Sequence, residues 1–352
     1  MNPALRRILV VGGNGFIAGS AVCKLAVARG IQVTSVSSSG KPYRTAKGHT
    51  PAWANKVVDW QKGDALHPES FAHLLPEVSG VVHTLGTLFE DADGAYKRAL
   101  RSGDVPGLLG SFFKNVVTGG NGGNPLEKHQ QLGAVNGRGT YEIMNRDSAL
   151  RVCEAFVCST PSSSADGNMP RPFVYISAED IFRPVIPARY IETKREAERG
   201  IEELMANNTD YRGIYIRPSL VYHAHQRPLT TPAAVLFDLS ATLHANVPRG
   251  VPTPSGILRS LGTLMPQGSR CSAGSLGDPG VVGTLLESMA SALEVPPIHV
   301  DHVAGAIVVA LDSASGIRGV VGVRRMRQLI GWSESGGNGS PKTAQIEIGS
   351  GL

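Results

Sequence analysis

The chain of 352 residues has few cysteines, and the four it has, Cys23, Cys153, Cys158 and Cys271, fall into no CxxC or CxxH spacing. That pattern excludes a zinc knuckle or a disulfide framework and fits reduced thiols in a non-secretory compartment, with Cys23 on the core face of a helix. No run of 18 apolar residues occurs, so a transmembrane helix is not expected. Only MNPALRR stands before the first strand-like run, so neither a secretory signal nor a long transit peptide is expected; Arg6 and Arg7 read either as a trace of a mitochondrial address or as flanks of a strand. A continuous basic stripe is also missing. The formal net charge is +5, yet only Val323 to Gln328 (VRRMRQ) is locally dense in arginine, so nucleic acid is not the expected partner. A mild positive bias suits an anionic cofactor or a membrane surface better.

Apolar residues make up 41% and charged residues 18% of the chain, enough for a sizeable core. Glycine (42) and proline (23) are over-represented and unevenly placed, which assigns part of the length to loops. Apolar runs alternate with helix-period stretches through the first two-thirds. Strands are expected at 7–12, 32–37, 57–63, 80–86, 172–177 and 212–218, with helices near 15–29, 68–76, 141–157 and 189–207. Such alternation predicts an α/β fold: a doubly wound parallel sheet of Rossmann type in residues 1–218, with loop insertions near 102–140 and 159–171. A small irregular lobe is expected over 219–331, carrying an aperiodic, disordered insertion near 248–280, and then a disordered tail over 332–352.

The stretch VVGGNGFIAGS, Val10 to Ser20, follows the apolar run ILVV and opens a helix. A strand that turns through glycine into a helix aims backbone N–H groups at a pyrophosphate. In Gly12-x-x-Gly15-x-x-Ala18, Gly12 makes the turn and Gly15 admits the phosphates, while Ala18 stands where a third glycine often lies. The loop contributes Gly12, Gly13, Asn14, Gly15, Phe16 and Ile17 as cofactor contacts. The second strand ends in SVSSSGK, with no carboxylate to receive a ribose 2′-hydroxyl. NADP is therefore preferred over NAD, with Ser37, Ser38 and Lys41 near the 2′ position, and Lys41 remains open to a second reading as a solvated side chain. Asp64 reads as a contact for the adenine amino group or as a helix cap, and Leu85 and Gly86 end the fourth strand beside the cofactor.

Tyr190 and Lys194 are four residues apart and share a helix face. A lysine ammonium favours the phenolate of a nearby tyrosine, which suits it to carbonyl–alcohol chemistry, and the same lysine can hold the nicotinamide ribose. Ser177, at the end of the strand before, is the candidate donor to a substrate oxygen. His299, Asp301 and His302 form a possible but disfavoured metal set.

Together these residues resemble the short-chain dehydrogenase/reductase superfamily in its extended and atypical branch. VVGGNGFIAGS is similar to its cofactor loop, VVHTLGTL to the fourth strand, YISAED to the serine strand, YIETKREAE to the active-site helix, and IRPSLVY with PPIHVDHVAGAIVVAL to the C-terminal signature. Within that branch the motifs are most similar to fungal mitochondrial reductase-like proteins associated with coenzyme Q (ubiquinone) biosynthesis, and these in turn resemble the nucleotide-binding accessory subunit of respiratory complex I. The resemblance implies Ser177, Tyr190 and Lys194 as the active-site set, NADP or NAD as cofactor, and coenzyme Q biosynthetic proteins as partners. It also implies a location on the matrix side of the inner mitochondrial membrane, with peripheral contact to that membrane. Asn145, in YEIMNRDSA, is either the structural asparagine of many relatives or a solvent-facing polar residue. Three functions follow as alternatives: an NADP-dependent oxidoreductase, a non-catalytic dinucleotide-binding component of an assembly, and a nucleotide-sugar epimerase or dehydratase, which share one scaffold.

Overall fold

The computed structural model describes residues 7–15, 17, 21–45, 48–87, 140–161, 169–181, 186–223, 238–242, 244, 253–264 and 279–332. Phe16, Cys271, most of the two expected loop insertions, part of the 248–280 stretch and the tail from 333 lie outside the described residues.

Strands β1 (Arg7–Val11), β2 (Gln32–Ser37), β3 (Val58–Lys62), β4 (Gly80–His83), β5 (Arg171–Ile176) and β6 (Tyr211–Ile216) are joined by β9 (Gly319–Val321) in one sheet of order β3-β2-β1-β4-β5-β6-β9. Every pairing is parallel. The order reverses at β1, which lies between β2 and β4, and a crevice at the carboxyl ends of β1 and β4 is where doubly wound sheets take ligands. The strands are apolar on both faces because helices cover both. Ile8 and Val10 point into a core with Cys23 and Ala26 of α1 (Cys23–Ala28), while Leu9 and Val11 point into a second core on the opposite face. That second core is closed by Val152 and Phe156 of α3 (Ser148–Val157) and by Ala197 and Ile201 of α4 (Ala188–Met205). The short α2 (Ala52–Lys56) precedes β3.

Three expected elements take a different form. Residues 68–76 are two 3-10 segments, Pro68–Ser70 and Ala72–Glu77, because Pro68 and Pro76 leave too little proline-free chain for α-helical bonding between them. The expected helix 141–157 begins as a π-turn over Glu142–Asp147 before α3. Within the stretch expected to be disordered, Pro254–Leu264 forms α5, which lies against α6 (Pro279–Glu294). Its start signal was legible: Thr253 Oγ1 accepts from Gly256 N at 3.1 Å, with Pro254 in the first turn. Arg259 holds the pair together, donating to Glu287 at 2.9 Å and to both oxygens of Glu294.

The expected boundary at 218 is also corrected. The chain leaves the sheet through β7 (Val221–Tyr222), which pairs with β8 (Ile298–His299), but α7 (Val300–Leu311), β9 and α8 (Val323–Leu329) return to the main body. Val303 and Ile307 of α7 and Met326 of α8 are fully buried in the core that holds α1. Arg212 of β6 secures this return. Its guanidinium donates to the carbonyls of Ala310 and Asp312 at 3.0 Å and to that of Ile317, so it satisfies groups left unpaired at the C-terminus of α7. Arg212→Met strands these carbonyls, and urea denaturation is expected to show a loss of about 3 kcal/mol.

Candidate functional site

The glycine loop is set by two close approaches. Gly12 has φ +91°, a left-handed conformation, and a Cβ there would lie 2.8 Å from Leu85 Cδ2 and Thr84 Oγ1. At Gly13 a Cβ would lie 1.6 Å from Ser35 Oγ. Gly15 N closes the turn on Gly12 O at 2.8 Å, and Thr84 Oγ1 binds the neighbouring Val11 carbonyl at 2.9 Å. Glycine backbone thus lies at the crest of β1, a cradle that fits a pyrophosphate. Ile17 packs on the α1 core, while Asn14 turns aside. Its Nδ2 donates to Lys41 O at 3.1 Å and so ties the glycine loop to the loop after β2. In that second loop Ser37 Oγ accepts from Gly40 N at 3.1 Å, and Ser38 and Lys41 are exposed. Asp64 does not cap a helix, because His67 holds the cap position of the first 3-10 segment; its Oδ1 accepts from Leu66 N at 3.0 Å and shapes the turn before that segment.

Around the carboxyl ends of β4 and β5 the chain brings together Leu85, Gly86, Asn145 and Lys194. Lys194 is buried, and its Nζ donates to Ile176 O at 2.9 Å and Leu85 O at 3.5 Å, with the Tyr175 ring centroid at 4.8 Å. A Cβ on the exposed Gly86 would lie 2.6 Å from that Nζ and 3.0 Å from Asn145 Oδ1. Asn145 is fully buried rather than solvent-facing. Its side chain accepts from Thr87 N at 2.9 Å and donates to Thr193 Oγ1 at 3.4 Å, while its carbonyl accepts from Tyr175 Oη. It sits within the π-turn, a local widening that frequently marks functional positions. Nearby, His83 is buried with Nε2 bonded to Ser148 Oγ at 3.3 Å, and its Nδ1 has no partner among the described residues.

The electrostatics differ from the expectation for Tyr190. Its Cα stands one turn before Lys194 on α4, and its half-buried ring meets Tyr141 edge-on at 6.0 Å. Burial pushes the phenol up to about 12, and the cation that acts against this is Arg195 rather than Lys194. Burial also pushes the Lys194 amine down to about 7, with the Glu198 charge working the other way. His83 is held near 3 by burial and by Lys194, and so is neutral.

Ser177 is likewise committed elsewhere. Its Oγ accepts from Arg195 Nη1 at 2.9 Å, and its hydroxyl bonds the Glu198 carboxylate. Glu198, almost fully buried, also accepts from Arg195 at 2.8 Å and from Arg217 through both oxygens. Burial would raise the Glu198 carboxyl, but these bonds and charges hold it below its ordinary value. The serine expected to meet a substrate oxygen is therefore the link between the end of β5 and a buried Arg–Glu–Arg cluster. Sequence reasoning passed over Arg195, Glu198 and Arg217, although Arg195 and Glu198 are three apart on the same helix, a spacing that pairs charges. Among the described residues no group of His, Cys, Asp and Glu stands close enough to hold a metal ion, and no helix is long and apolar enough to cross a membrane. His299 instead caps α7 through Asp301 N at 3.2 Å.

No family model matches the chain. It is 34% identical over 229 residues to MIOREX complex component 2 of Saccharomyces cerevisiae, an alignment that covers 63% of this chain and 75% of the yeast protein. It is 40% identical over 80 residues to an uncharacterized chloroplastic protein of Arabidopsis thaliana, which it covers for 24% of that protein's length. Solved structures with a similar course include yeast methylglyoxal/isovaleraldehyde reductase complexed with NADPH, at 14% identity and TM-score 0.45 over 90% of this chain and 77% of that one. Another is the Bordetella bronchiseptica enzyme WbmF in complex with NAD+, at 14% identity and TM-score 0.45 over 93% of this chain and 79% of that one.

Two measurements follow. Gly13→Ala is expected to cost about 1–3 kcal/mol by thermal denaturation, because the added methyl meets Ser35. Ser35→Gly in the same chain is expected to recover most of the loss. Lys194 has a folded pKa below its unfolded one, so between pH 7 and about 10.5 the unfolded chain holds the extra proton. The contribution of this group is therefore to raise stability with pH across that window. Lys194→Met should flatten the rise and stabilise the ligand-free protein at pH 7 by about 1–4 kcal/mol.

Proposed function

The chain belongs to the family of the yeast MIOREX complex component 2, and we propose that it binds a nicotinamide dinucleotide in the loop after β1 and serves, loaded with it, as a component of a mitochondrial protein assembly. The observation that carries the dinucleotide is the cradle itself: Gly12 and Gly13 are closed against Thr84, Leu85 and Ser35 so tightly that only glycine fits, directly at the crest of the central strand. Gly12, Gly13 and Gly15 would hold the pyrophosphate through backbone N–H groups, Ser37, Ser38 and Lys41 the adenosine ribose, and Leu85, Gly86, Tyr190 and Lys194 the nicotinamide end. When bound, the cofactor supplies a hydride donor or acceptor. Exposed Lys41 and the lack of a carboxylate after β2 favour NADP.

The commitment of Ser177 to Arg195 and Glu198 favours binding over turnover, since a carbonyl substrate would have to displace a charged cluster to gain its hydroxyl. A ligand that binds only the folded chain stabilises it by mass action, which suits a component whose assembly follows dinucleotide supply. A second reading is an NADP-dependent oxidoreductase acting on a coenzyme Q intermediate at the matrix side of the inner membrane. Tyr190 and Lys194 on one face of α4 favour it, and Tyr190 would then move the proton.

Mass spectrometry of the gently purified protein is expected to release NADP or NAD. NADPH at about 100 times its Kd is expected to raise the Tm by roughly 5–10 °C, and Lys41→Glu to reverse any advantage of NADPH over NADH. Absence of a bound dinucleotide together with an unchanged Tm would overturn the proposal. Dinucleotide-dependent reduction of a quinone precursor, lost in Tyr190→Phe, would decide for the second reading. Affinity purification separates the assemblies: coenzyme Q biosynthetic proteins in the eluate support the second, a different set of partners the first.

A further inference from the structure

Lys194 poses a problem of charge that the fold leaves unsolved. An ammonium has three protons to place and no way to shed its desolvation cost except through a counter-ion. Buried to 2% exposure, the Lys194 amine has Ile176 O at 2.9 Å and Leu85 O at 3.5 Å as its hydrogen-bond acceptors, both neutral carbonyls. Among the described residues, every element packed around it supplies something other than a bonded anion. From β5 comes the Tyr175 ring at 4.8 Å, from β4 the neutral His83, and from the π-turn the Asn145 amide. On its own helix stand Tyr190, whose ring centroid is 6.0 Å away, then Arg195, a second cation, and Glu198, which is bonded to Arg195, Arg217 and Ser177. Among the described residues no carboxylate bonds the amine.

The amine is nevertheless within reach of a ligand. Gly86 above it is exposed, and the position its Cβ would take is 2.6 Å from Nζ. Any larger residue at 86 would seal the amine in. A dinucleotide carries two phosphate charges, which outweigh the single positive charge of an oxidised nicotinamide, and at its nicotinamide end it offers ribose oxygens, so it brings both a net negative potential and the acceptors that the described residues withhold.

We infer that dinucleotide binding to this chain is coupled to the uptake of one proton by Lys194, so that occupancy of the site reports pH as well as dinucleotide concentration. The inference rests on the dinucleotide reading above. The proton comes from solvent and adds to the Nζ lone pair, and no bond of the dinucleotide is made or broken. Burial, which holds the ligand-free amine near 7, sets where the coupling begins. Below that pH the amine is already charged and binding takes up little. Above it, each bound dinucleotide must recruit a proton, and affinity falls by about tenfold per pH unit until the pKa of the bound state is reached.

The test is isothermal titration of the full chain with NAD+, none of whose groups titrates between pH 6 and 9, in phosphate and in Tris at several pH values across that range. The difference in heat between two buffers of unlike ionisation enthalpy counts protons. The expected result is near zero uptake at pH 6, rising towards one proton per site at pH 8 and above, with the Kd weakening in step. NADP+ serves in the same way from pH 7.5 upward, above the titration of its 2′-phosphate near 6. Binding with no proton uptake at any pH would overturn the inference and leave the dinucleotide reading intact. Failure of both dinucleotides to bind at any pH would remove that reading and the inference with it. Lys194→Met keeps the length and apolar volume of the side chain but removes a binding group, so it is expected to bind the dinucleotide more weakly than the wild type, with no proton uptake and with a Kd that no longer changes with pH. Uptake in that variant equal to the wild type would assign the proton to another group and overturn the inference.

Discussion

The bond from Lys194 Nζ to the Ile176 carbonyl crosses from α4 to the last residue of β5, and the crest of the sheet is organised around it. Because the amine must lie at that carbonyl, α4 has to run close over β5, and Tyr175 must turn its ring under the amine and its hydroxyl towards Asn145 O. Asn145 in turn holds the backbone of Thr87 through both N–H and C=O, which fixes the path of the chain as it leaves β4 past Gly86. The π-turn is what makes this reach work: an extra residue in the turn widens it and lets a side chain on a covering helix settle between β4 and α4. A cluster of this kind is costly in a low-dielectric interior unless its polar atoms are satisfied, and here backbone carbonyls and amides satisfy most of them.

Beside it lies a second polar cluster with the opposite character. Glu198 is saturated by Arg195, Arg217 and Ser177, so its charges are internal and balanced. It fastens α4 to the ends of β5 and β6. Lys194 is positively charged or neutral according to its surroundings, whereas the Arg195–Glu198–Arg217 set keeps its charges. The two neighbours on α4, residues 194 and 195, thus divide the labour of the helix: one has no bonded counter-ion among the described residues, the other anchors the fold. This division bears on function, since the hydroxyl of Ser177 belongs to the anchoring side.

The remote end of the sheet depends on similar chemistry. Arg171 and Arg212, at the starts of β5 and β6, donate to carbonyls of the segment before β4 and of the last turn of α7 and the residue after it: Leu75 and Val78 at 2.6 Å for Arg171, and Ala310 and Asp312 at 3.0 Å for Arg212. Buried arginines spread over several carbonyls bind segments that are distant in sequence. They allow residues 300–329 to complete a domain that begins at β1.

How much of this was legible depended on range. The succession of strands along the chain, the glycine turn and the helix that carries Tyr190 and Lys194 are local, because strand and helix periods and the steric freedom of glycine act over a few residues. Thus Arg7–Val11 followed by Gly12 and Gly13 determined a strand and a turn without help from the rest of the chain. Elements with mixed signals were misjudged. Prolines tightened residues 68–77, and a glycine-rich composition concealed α5 behind Thr253 and Pro254. What only the tertiary structure decided were questions of charge and contact. It set the burial of Asn145, the use of Ser177 by Arg195 and Glu198, the return of β9 to the main sheet, and an amine at Lys194 with carbonyls for company. None of these can be read along the chain, because desolvation and counter-ion distance are properties of neighbours brought together from β4, β5, β6 and α4, and folding alone creates them.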